Sequence, residues 1–250
     1  MATKKKAVKR KVKGKAKKKV AEKTPANGKT PKSPLTESQI KKFKKAEFEA
    51  ENNSEDYLIV SLLLSVAKDI LKAGDKEWAK KVYMKAEDKT KDGAEFKEVA
   101  DSIFEYLGDK EWAKKVYKKA GEKIKFPRDL MPLAESLCKN LGDTAWAKKV
   151  YKKTEDLAED GSEFKELADV ICENLDDKTW AKKVYKKAEG KTNDVSELWE
   201  LAGSLCDNLD DKTWAKKVYK KAEGKTEGFW DCLGLAGSLC EKLGDKTWAE

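Results

Sequence analysis

Histidine is absent from the 250-residue chain. Because histidine is the commonest general base in enzymes and the commonest ligand of metal ions, its absence argues against catalysis and against a metal site. Acidic side chains are plentiful, but no nucleophile or cofactor motif accompanies them. We therefore expect a protein that is not an enzyme and that needs no cofactor.

Long apolar runs are also missing. The longest, Tyr57–Val66, is too short to span a bilayer and leads into Lys68 and Asp69. The basic N-terminus is not followed by the apolar segment of a secretory signal. We expect no membrane insertion and a location in the cytoplasm, or in the nucleoid or nucleus.

Charge is abundant but uneven, with 40% charged residues and a net charge of +9. Residues 1–35 hold 14 basic residues and one acidic residue, whereas the other 215 residues hold 41 basic and 45 acidic ones. The first segment has too few apolar residues to offset the entropy lost on ordering. The composition predicts a disordered basic arm over residues 1–35, joined to a mildly acidic body.

Six tryptophans recur at intervals of 34 residues, and each begins a phrase close to WAKKVYKKAE. They are Trp78, Trp112, Trp146, Trp180, Trp214 and Trp248. A fixed period of this length indicates one supersecondary unit stacked on copies of itself. Such stacks typically offer a long surface to a partner rather than a catalytic pocket.

Each unit is predicted to contain two helices. The first carries apolar residues at helical spacing, as at Phe164, Leu167 and Ile171, and the second has an apolar stripe that includes Ala181 and Tyr185. Glycines suit the left-handed position after the first helix, namely Gly74, Gly108, Gly142 and Gly244. Aspartates suit the N-cap of the second, namely Asp75, Asp109, Asp143, Asp177, Asp211 and Asp245.

A short linker helix is predicted ahead of the repeats, within residues 36–56. Thr36 and Gln39 form a capping box for a helix that runs through about Ala50, and Ser54 can cap the helix that follows. The repeats then occupy residues 57–250.

The small and aromatic residues of these units resemble the tetratricopeptide repeat, which also has a period of 34 residues. Its signature places a small residue in the first helix and then alanine, an aromatic and alanine in the second, here Gly203, Ala215, Tyr219 and Ala222. The resemblance implies an all-α fold, a right-handed solenoid of antiparallel helix pairs, over some five and a half units. Cysteine replaces a tyrosine common in that family, and its usual proline is missing. Another kind of helical-pair solenoid is the alternative.

Four cysteines share the 34-residue period, namely Cys138, Cys172, Cys206 and Cys240. Equivalent helices of adjacent units lie about 8–10 Å apart, whereas a disulfide needs Cα atoms within about 7 Å. No pair has the spacing of a zinc site. We expect these cysteines to serve as small buried side chains. Their reduced state fits a protein in a reducing compartment.

The second helices carry paired lysines, as at Lys114, Lys115, Lys118 and Lys119. One interpretation is a nucleic-acid surface. The interpretation that we favour is a solvated outer face whose charge is offset by acidic residues of neighbouring first helices.

In the tetratricopeptide family the first helices line a concave groove that binds ligands. The resemblance places there Glu95, Glu98, Glu105, Asp129, Glu163, Glu166, Glu173, Glu197, Glu200, Asp207, Asp231 and Glu241. A row of carboxylates favours a basic protein or peptide. The asparagines beside them, Asn140, Asn174 and Asn208, can bond to a ligand backbone. The alternative is that these side chains only keep the stack in solution.

The arm resembles the tails of linker histones and of bacterial histone-like proteins. Its candidate polyanion-binding residues are Lys4, Lys5, Lys6, Lys9, Arg10, Lys11, Lys13, Lys15, Lys17, Lys18 and Lys19. Phosphate binding by such an arm is electrostatic and blind to sequence, and no aromatic residue indicates base stacking. The alternative is a solubilising or localisation tail.

These features predict a protein-interaction scaffold whose groove binds a protein or peptide, with an arm that contacts nucleic acid or another polyanion. The alternative function is a histone-like, non-specific nucleic-acid-binding protein whose repeats serve for multimerisation. The chain stops two residues after Trp248, before the second helix of its last unit. We therefore expect that the repeats continue in a longer protein or that this end stacks on another chain.

Overall fold

The computed structural model describes residues 34–226 and 228–244, and every regular element within them is helical. Residues 1–33, which include all the candidate polyanion-binding residues, lie outside the described part. A short helix, α1 (Glu37–Glu51), precedes five helix pairs and the first helix of a sixth.

The first helices of the pairs are α2 (Asp56–Ala73), α4 (Gly93–Ser102), α6 (Pro127–Ser136), α8 (Gly161–Leu175), α10 (Val195–Leu209) and α12 (Phe229–Ser238). The second helices are α3 (Lys76–Lys89), α5 (Lys110–Lys123), α7 (Thr144–Leu157), α9 (Lys178–Lys191) and α11 (Lys212–Glu223). π-Helical turns extend α4, α6 and α12 over Ile103–Leu107, Leu137–Leu141 and Leu239–Leu243.

The five pairs define units 1 to 5, from α2 and α3 to α10 and α11, and α12 begins unit 6. Within a unit the two helices pack against each other, and each first helix also contacts the first helix of the next unit. Second helices of adjacent units approach one another less closely. We name the exposed side of the first helices the inner face and that of the second helices the outer face. The predicted all-α stack of helix pairs is confirmed.

The turns within the units confirm the roles predicted for aspartate and glycine. The side chains of Asp75, Asp109, Asp143, Asp177 and Asp211 each accept a bond of 2.9–3.1 Å from the backbone N–H of the following tryptophan. The four glycines have positive φ angles. In units 4 and 5 the left-handed position is taken by Asp176 and Asp210 instead. Asp245 lies outside the described residues.

The capping box of Thr36 and Gln39 is confirmed, because each side chain bonds to the other's backbone N–H. The role predicted for Ser54 is wrong, since the N-cap of α2 is Glu55 and its side chain makes no capping bond. The backbone N–H groups in the first turn of α2 therefore donate no hydrogen bond to the side chain of its N-cap residue.

The buried stripe of each second helix is the predicted one. In unit 4, Ala181, Val184 and Tyr185 are completely shielded from solvent. The tyrosines at this position are among the largest fully buried side chains, namely Tyr83, Tyr117, Tyr151, Tyr185 and Tyr219. Small alanines allow the helices to approach, and the tyrosine rings fill the space between pairs.

Tryptophan and glutamate join adjacent units on the outer face. Trp180 Nε1 donates to Glu155 of the preceding second helix at 2.8 Å, and Lys187 Nζ lies 2.7 Å from the same carboxylate. Although burial alone raises the pKa of Glu155, hydrogen bonds from Lys187 and Trp180 bring it below its usual value. Equivalent indole–glutamate bonds are Trp112–Glu87 and Trp214–Glu189.

A second set of outer contacts links lysines to the N-cap aspartates of the next unit. Lys182 Nζ lies 2.8 Å from Asp211, and its hydrogen bond, together with that from the Trp214 N–H, lowers the pKa of Asp211. The equivalent pairs are Lys80–Asp109, Lys114–Asp143 and Lys148–Asp177, at 4.0, 3.3 and 3.3 Å. The expectation that first-helix acids offset the outer lysines is wrong for these pairs, because their partners are N-caps and second-helix glutamates.

Helix α1 occupies the place of a preceding second helix. Trp78 Nε1 donates to Glu47 at 2.9 Å, and Lys85 Nζ lies 2.7 Å from the same carboxylate. The Phe43 ring meets the Trp78 ring edge-on, with centroids 5.9 Å apart. The residues that α1 exposes are largely charged, as at Lys41 and Lys45. A polar end of this kind caps the stack.

Gly121 interrupts the outer series of indole–glutamate bonds. It stands where other units have glutamate, so within the described residues Trp146 makes no such bond. We expect Gly121→Glu to raise the free energy of unfolding by about 1–2 kcal/mol, through a new bond to Trp146 and the removal of a helical glycine. An added Cβ would meet only Leu133, at an ordinary 3.5 Å.

Urea unfolding followed by circular dichroism measures this gain. Gly121→Ala is the control, because it removes the glycine without supplying a carboxylate. A glutamate variant no more stable than the alanine variant would show that the indole bond contributes nothing.

Candidate functional site

The inner face of units 2, 4 and 5 presents two acidic residues on each first helix with a small residue between them. In unit 2 these are Glu98, Ser102 and Glu105. The same spacing places Glu166, Val170 and Glu173 in unit 4 and Glu200, Ser204 and Asp207 in unit 5. Residues four and then three positions apart share one side of a helix. The carboxylates therefore form two rows, roughly 10 Å apart, along a floor of small side chains.

Four of these predicted groove carboxylates are exposed and form no ion pair within the described residues. They are Glu98, Glu105, Glu166 and Glu173. Three others face lysines, with Glu200 at 3.4 Å from Lys165, and with Asp207 and Glu241 at 2.8 and 3.1 Å from Lys242. Unit 3 interrupts both rows, because Pro132 and Lys139 stand at the two acidic positions.

Three more predicted groove residues accept hydrogen bonds from their own chain at the starts of the first helices. Glu95 accepts from the backbone N–H of Lys91 at 2.8 Å, and Glu163 accepts from that of Glu159 at 2.9 Å. Glu197 accepts from the hydroxyl group of Thr192. These carboxylates are bound by their own chain near the edge of the inner face.

The last two predicted acidic residues lie apart from the rows. Asp129 is half buried and lines an open depression at the start of α6, together with Lys91 and Lys125. The side chain of Asp231 lies outside the described part of the structure.

The predicted asparagines belong to polar clusters between units. In the cluster of units 4 and 5, Asn208 Nδ2 donates to the Tyr185 hydroxyl oxygen and to Asp169, at 2.8 Å each. Tyr185 donates to the same carboxylate, and Ser204 donates to it at 3.3 Å. Lys165 completes the cluster 3.6 Å from Asp169. One carboxylate thus accepts three hydrogen bonds and forms one ion pair, with partners from two units.

An equivalent cluster joins units 2 and 3, where Asn140 donates to Asp101 at 3.0 Å and to Tyr117 at 2.8 Å. Tyr117 also donates to Asp101, and Lys97 lies 2.8 Å from it. Burial, then the charge of the neighbouring aspartate, raises the pKa of both tyrosines well above the usual range. Both hydroxyl groups therefore remain protonated donors.

The other units lack this aspartate. Unit 3 has Glu135 there, which pairs with Lys139, so that Tyr151 keeps only the bond of 3.1 Å from Asn174. Unit 1 has Ala67, and the hydroxyl group of Tyr83 has no hydrogen-bond partner among the described residues. Asp101 and Asp169 were missed by the sequence reasoning. Their signal is the 68-residue spacing between them and an asparagine 39 positions after each.

No match to this chain is found among protein-family models, curated proteins or solved structures. Its membership of the tetratricopeptide family therefore stays a prediction. Among the residues that the structure describes, no helix is long and apolar enough to cross a membrane.

The periodic cysteines form no disulfide within the described residues. Cys206 is buried, and Cys138 and Cys172 are half buried. Burial raises the pKa of all three thiols, which disfavours the reactive thiolate. The side chain of Cys240 lies outside the described part.

Proposed function

We propose that this chain is a non-enzymatic scaffold of the tetratricopeptide type whose inner face binds a basic, extended segment of a partner protein. The arm of residues 1–35 contacts nucleic acid or another polyanion. The protein works in the cytoplasm, nucleoid or nucleus and uses no cofactor. The observation that carries the proposal is the pair of carboxylate rows on the inner face.

The state of the carboxylates supports a basic ligand. Glu98, Glu105, Glu166 and Glu173 are exposed and form no ion pair in the described residues, so a cationic partner binds them without first displacing an internal lysine. The floor between the rows is small and mainly polar, which leaves room for an extended backbone. Complementary charge of this kind contributes to specificity and to fast association.

We expect the double substitution Glu166→Gln with Glu173→Gln to weaken binding of a lysine-rich peptide by about fivefold at low salt, since exposed pairs contribute about 0.2–1 kcal/mol each. Isothermal titration of the peptide into the full-length protein measures this loss. The difference should shrink at about 0.5 M salt because exposed charges are screened.

The matched control is Glu77→Gln with Glu111→Gln, which removes the same charge from exposed positions on the outer face. We expect this control to bind the peptide as the unsubstituted protein does. An equal loss in both double variants would mean that net charge, and not the inner face, attracts the peptide.

A further inference from the structure

The outer face carries lysines of two kinds. Each complete second helix from unit 2 onward has four lysines in two consecutive pairs. The outermost ones contact the neighbouring units, as at Lys119–Glu87, Lys182–Asp211 and Lys187–Glu155. Lys221 Nζ likewise donates to the backbone oxygen of Glu189 at 3.0 Å. The two lysines between them are exposed and form no ion pair within the described residues. In units 2 to 5 these are Lys115, Lys118, Lys149, Lys152, Lys183, Lys186, Lys217 and Lys220.

The neighbours of these free lysines differ along the stack. In units 2 and 3, an acidic residue lies one helical turn from three of the four, namely Glu111, Glu122 and Asp156. In units 4 and 5 the same positions hold Thr179, Gly190, Thr213 and Gly224. Opposite charges four positions apart attract each other on a helix surface. A glutamate also stands three positions after Lys152, Lys186 and Lys220. Units 2 and 3 thus have two acidic neighbours each and units 4 and 5 only one, so the positive charge of units 4 and 5 is the less compensated.

We define Lys183, Lys186, Lys217 and Lys220 as the lysine patch. Lysines three positions apart lie about 5–6 Å from each other. The two lysine pairs stand on the second helices of neighbouring units. An open depression of about 410 Å³ adjoins the patch. Its lining includes Lys178, Lys183 and Lys186, together with Asp211, whose charge is paired with Lys182. The four long side chains thus cover an area from which they can reach several phosphate groups at once.

The surroundings of the patch indicate which polyanion fits. The exposed large hydrophobic residues of the described chain lie outside α9 and α11, so the patch has no apolar anchor for a lipid surface. Trp180 and Trp214 are half buried and donate their indole N–H groups within the stack. Within the described helices α9 and α11, no exposed ring is therefore offered for the base stacking that single strands use.

We propose that the lysine patch on α9 and α11 binds the phosphate backbone of duplex nucleic acid. This goes beyond the proposed function, which assigns polyanion contact to the arm alone and peptide binding to the opposite face. The patch adds a surface on two described helices to the phosphate contacts proposed for the arm. The duplex is thereby held against the outer face of units 4 and 5, while the inner face remains open to its peptide.

The test replaces all four patch lysines with glutamine in the full-length protein and measures binding of a labelled DNA duplex by fluorescence anisotropy. We expect affinity to fall about thirtyfold at about 0.1 M salt, and the log–log salt slope to flatten by about 3, because each phosphate contact contributes about 0.9 to it. The matched control replaces Lys115, Lys118, Lys149 and Lys152 with glutamine. It removes the same charge from the same helix positions, and we expect a loss of less than about threefold.

Two results of the duplex measurement would overturn the proposal. Equal losses in the two quadruple variants would assign the effect to net charge, and no loss in the patch variant would leave the arm as the only phosphate-binding element. Vesicles with anionic lipid provide a further comparison. If the unsubstituted protein prefers them to the duplex and the patch variant loses that binding, the partner is a membrane instead. Circular dichroism and urea unfolding should show both variants folded as the parent, since all eight lysines are exposed.

Discussion

Asp169→Ala is expected to lower the free energy of unfolding by about 3 kcal/mol. The carboxylate accepts hydrogen bonds from Tyr185, Asn208 and Ser204, and the Tyr185 hydroxyl group loses its acceptor when the carboxylate is removed. An unsatisfied buried donor costs about 1–3 kcal/mol, and the asparagine and serine add to this. The Asp169 side chain is 29% exposed, so relief of its own desolvation offsets only a small part of the loss.

Urea unfolding followed by circular dichroism provides the measurement, and Glu135→Ala is the matched control. Glu135 stands at the equivalent position of unit 3 but pairs with Lys139 near the surface. We expect the control to cost less than about 0.5 kcal/mol. Similar losses at the two positions would mean that the cluster around Asp169 contributes no more to stability than a surface ion pair.

Gly161→Ala is expected to destabilise the protein by about 2 kcal/mol, even though alanine is the better helix former. Gly161 begins α8, and a Cβ there would lie 2.6 Å from Thr192 Cβ and 3.0 Å from its backbone N. The backbone at the end of α9 cannot move away without disturbing the packing of the pair. Thermal and urea unfolding should both show the loss.

The control for this prediction is Gly190→Ala in the same unit. A Cβ at Gly190 meets no atom within 4 Å, so the substitution should increase stability by about 0.5–1 kcal/mol through helix propensity. Opposite signs for two Gly→Ala changes in one helix pair are the expected result. Stabilisation by both would show that the close approach at Gly161 relaxes freely.

Periodicity predicts most of the fold. The 34-residue repeat indicates the helix pairs. The N-cap aspartates and the left-handed glycines follow from the local conformational preferences of these residue types. The left-handed conformations of Asp176 and Asp210 are not predicted, although both residues follow leucine as three of the four glycines do. The role given to Ser54 failed because a cap depends on where a helix begins, and one residue of shift changes the cap.

Contacts between units are less predictable from sequence. Asp169 and Asp101 stand at a position where a small side chain is expected. Each aspartate accepts hydrogen bonds from a tyrosine 16 residues later and from an asparagine 39 residues later. Residues so far apart along the chain can be recognised as neighbours only once the packing of the helices is known. The same limit applies to the outer lysines, because only the stacked structure separates those that pair from those that remain free.

Helix α1 limits how copies of this chain can associate. Open-ended filaments grow by head-to-tail addition, in which the last unit of one copy docks against the first unit of the next. The docking place beside Trp78 is already filled by Phe43 and Glu47 of the same chain. A second copy could add a helix pair at this end only by displacing α1, so head-to-tail growth is blocked there.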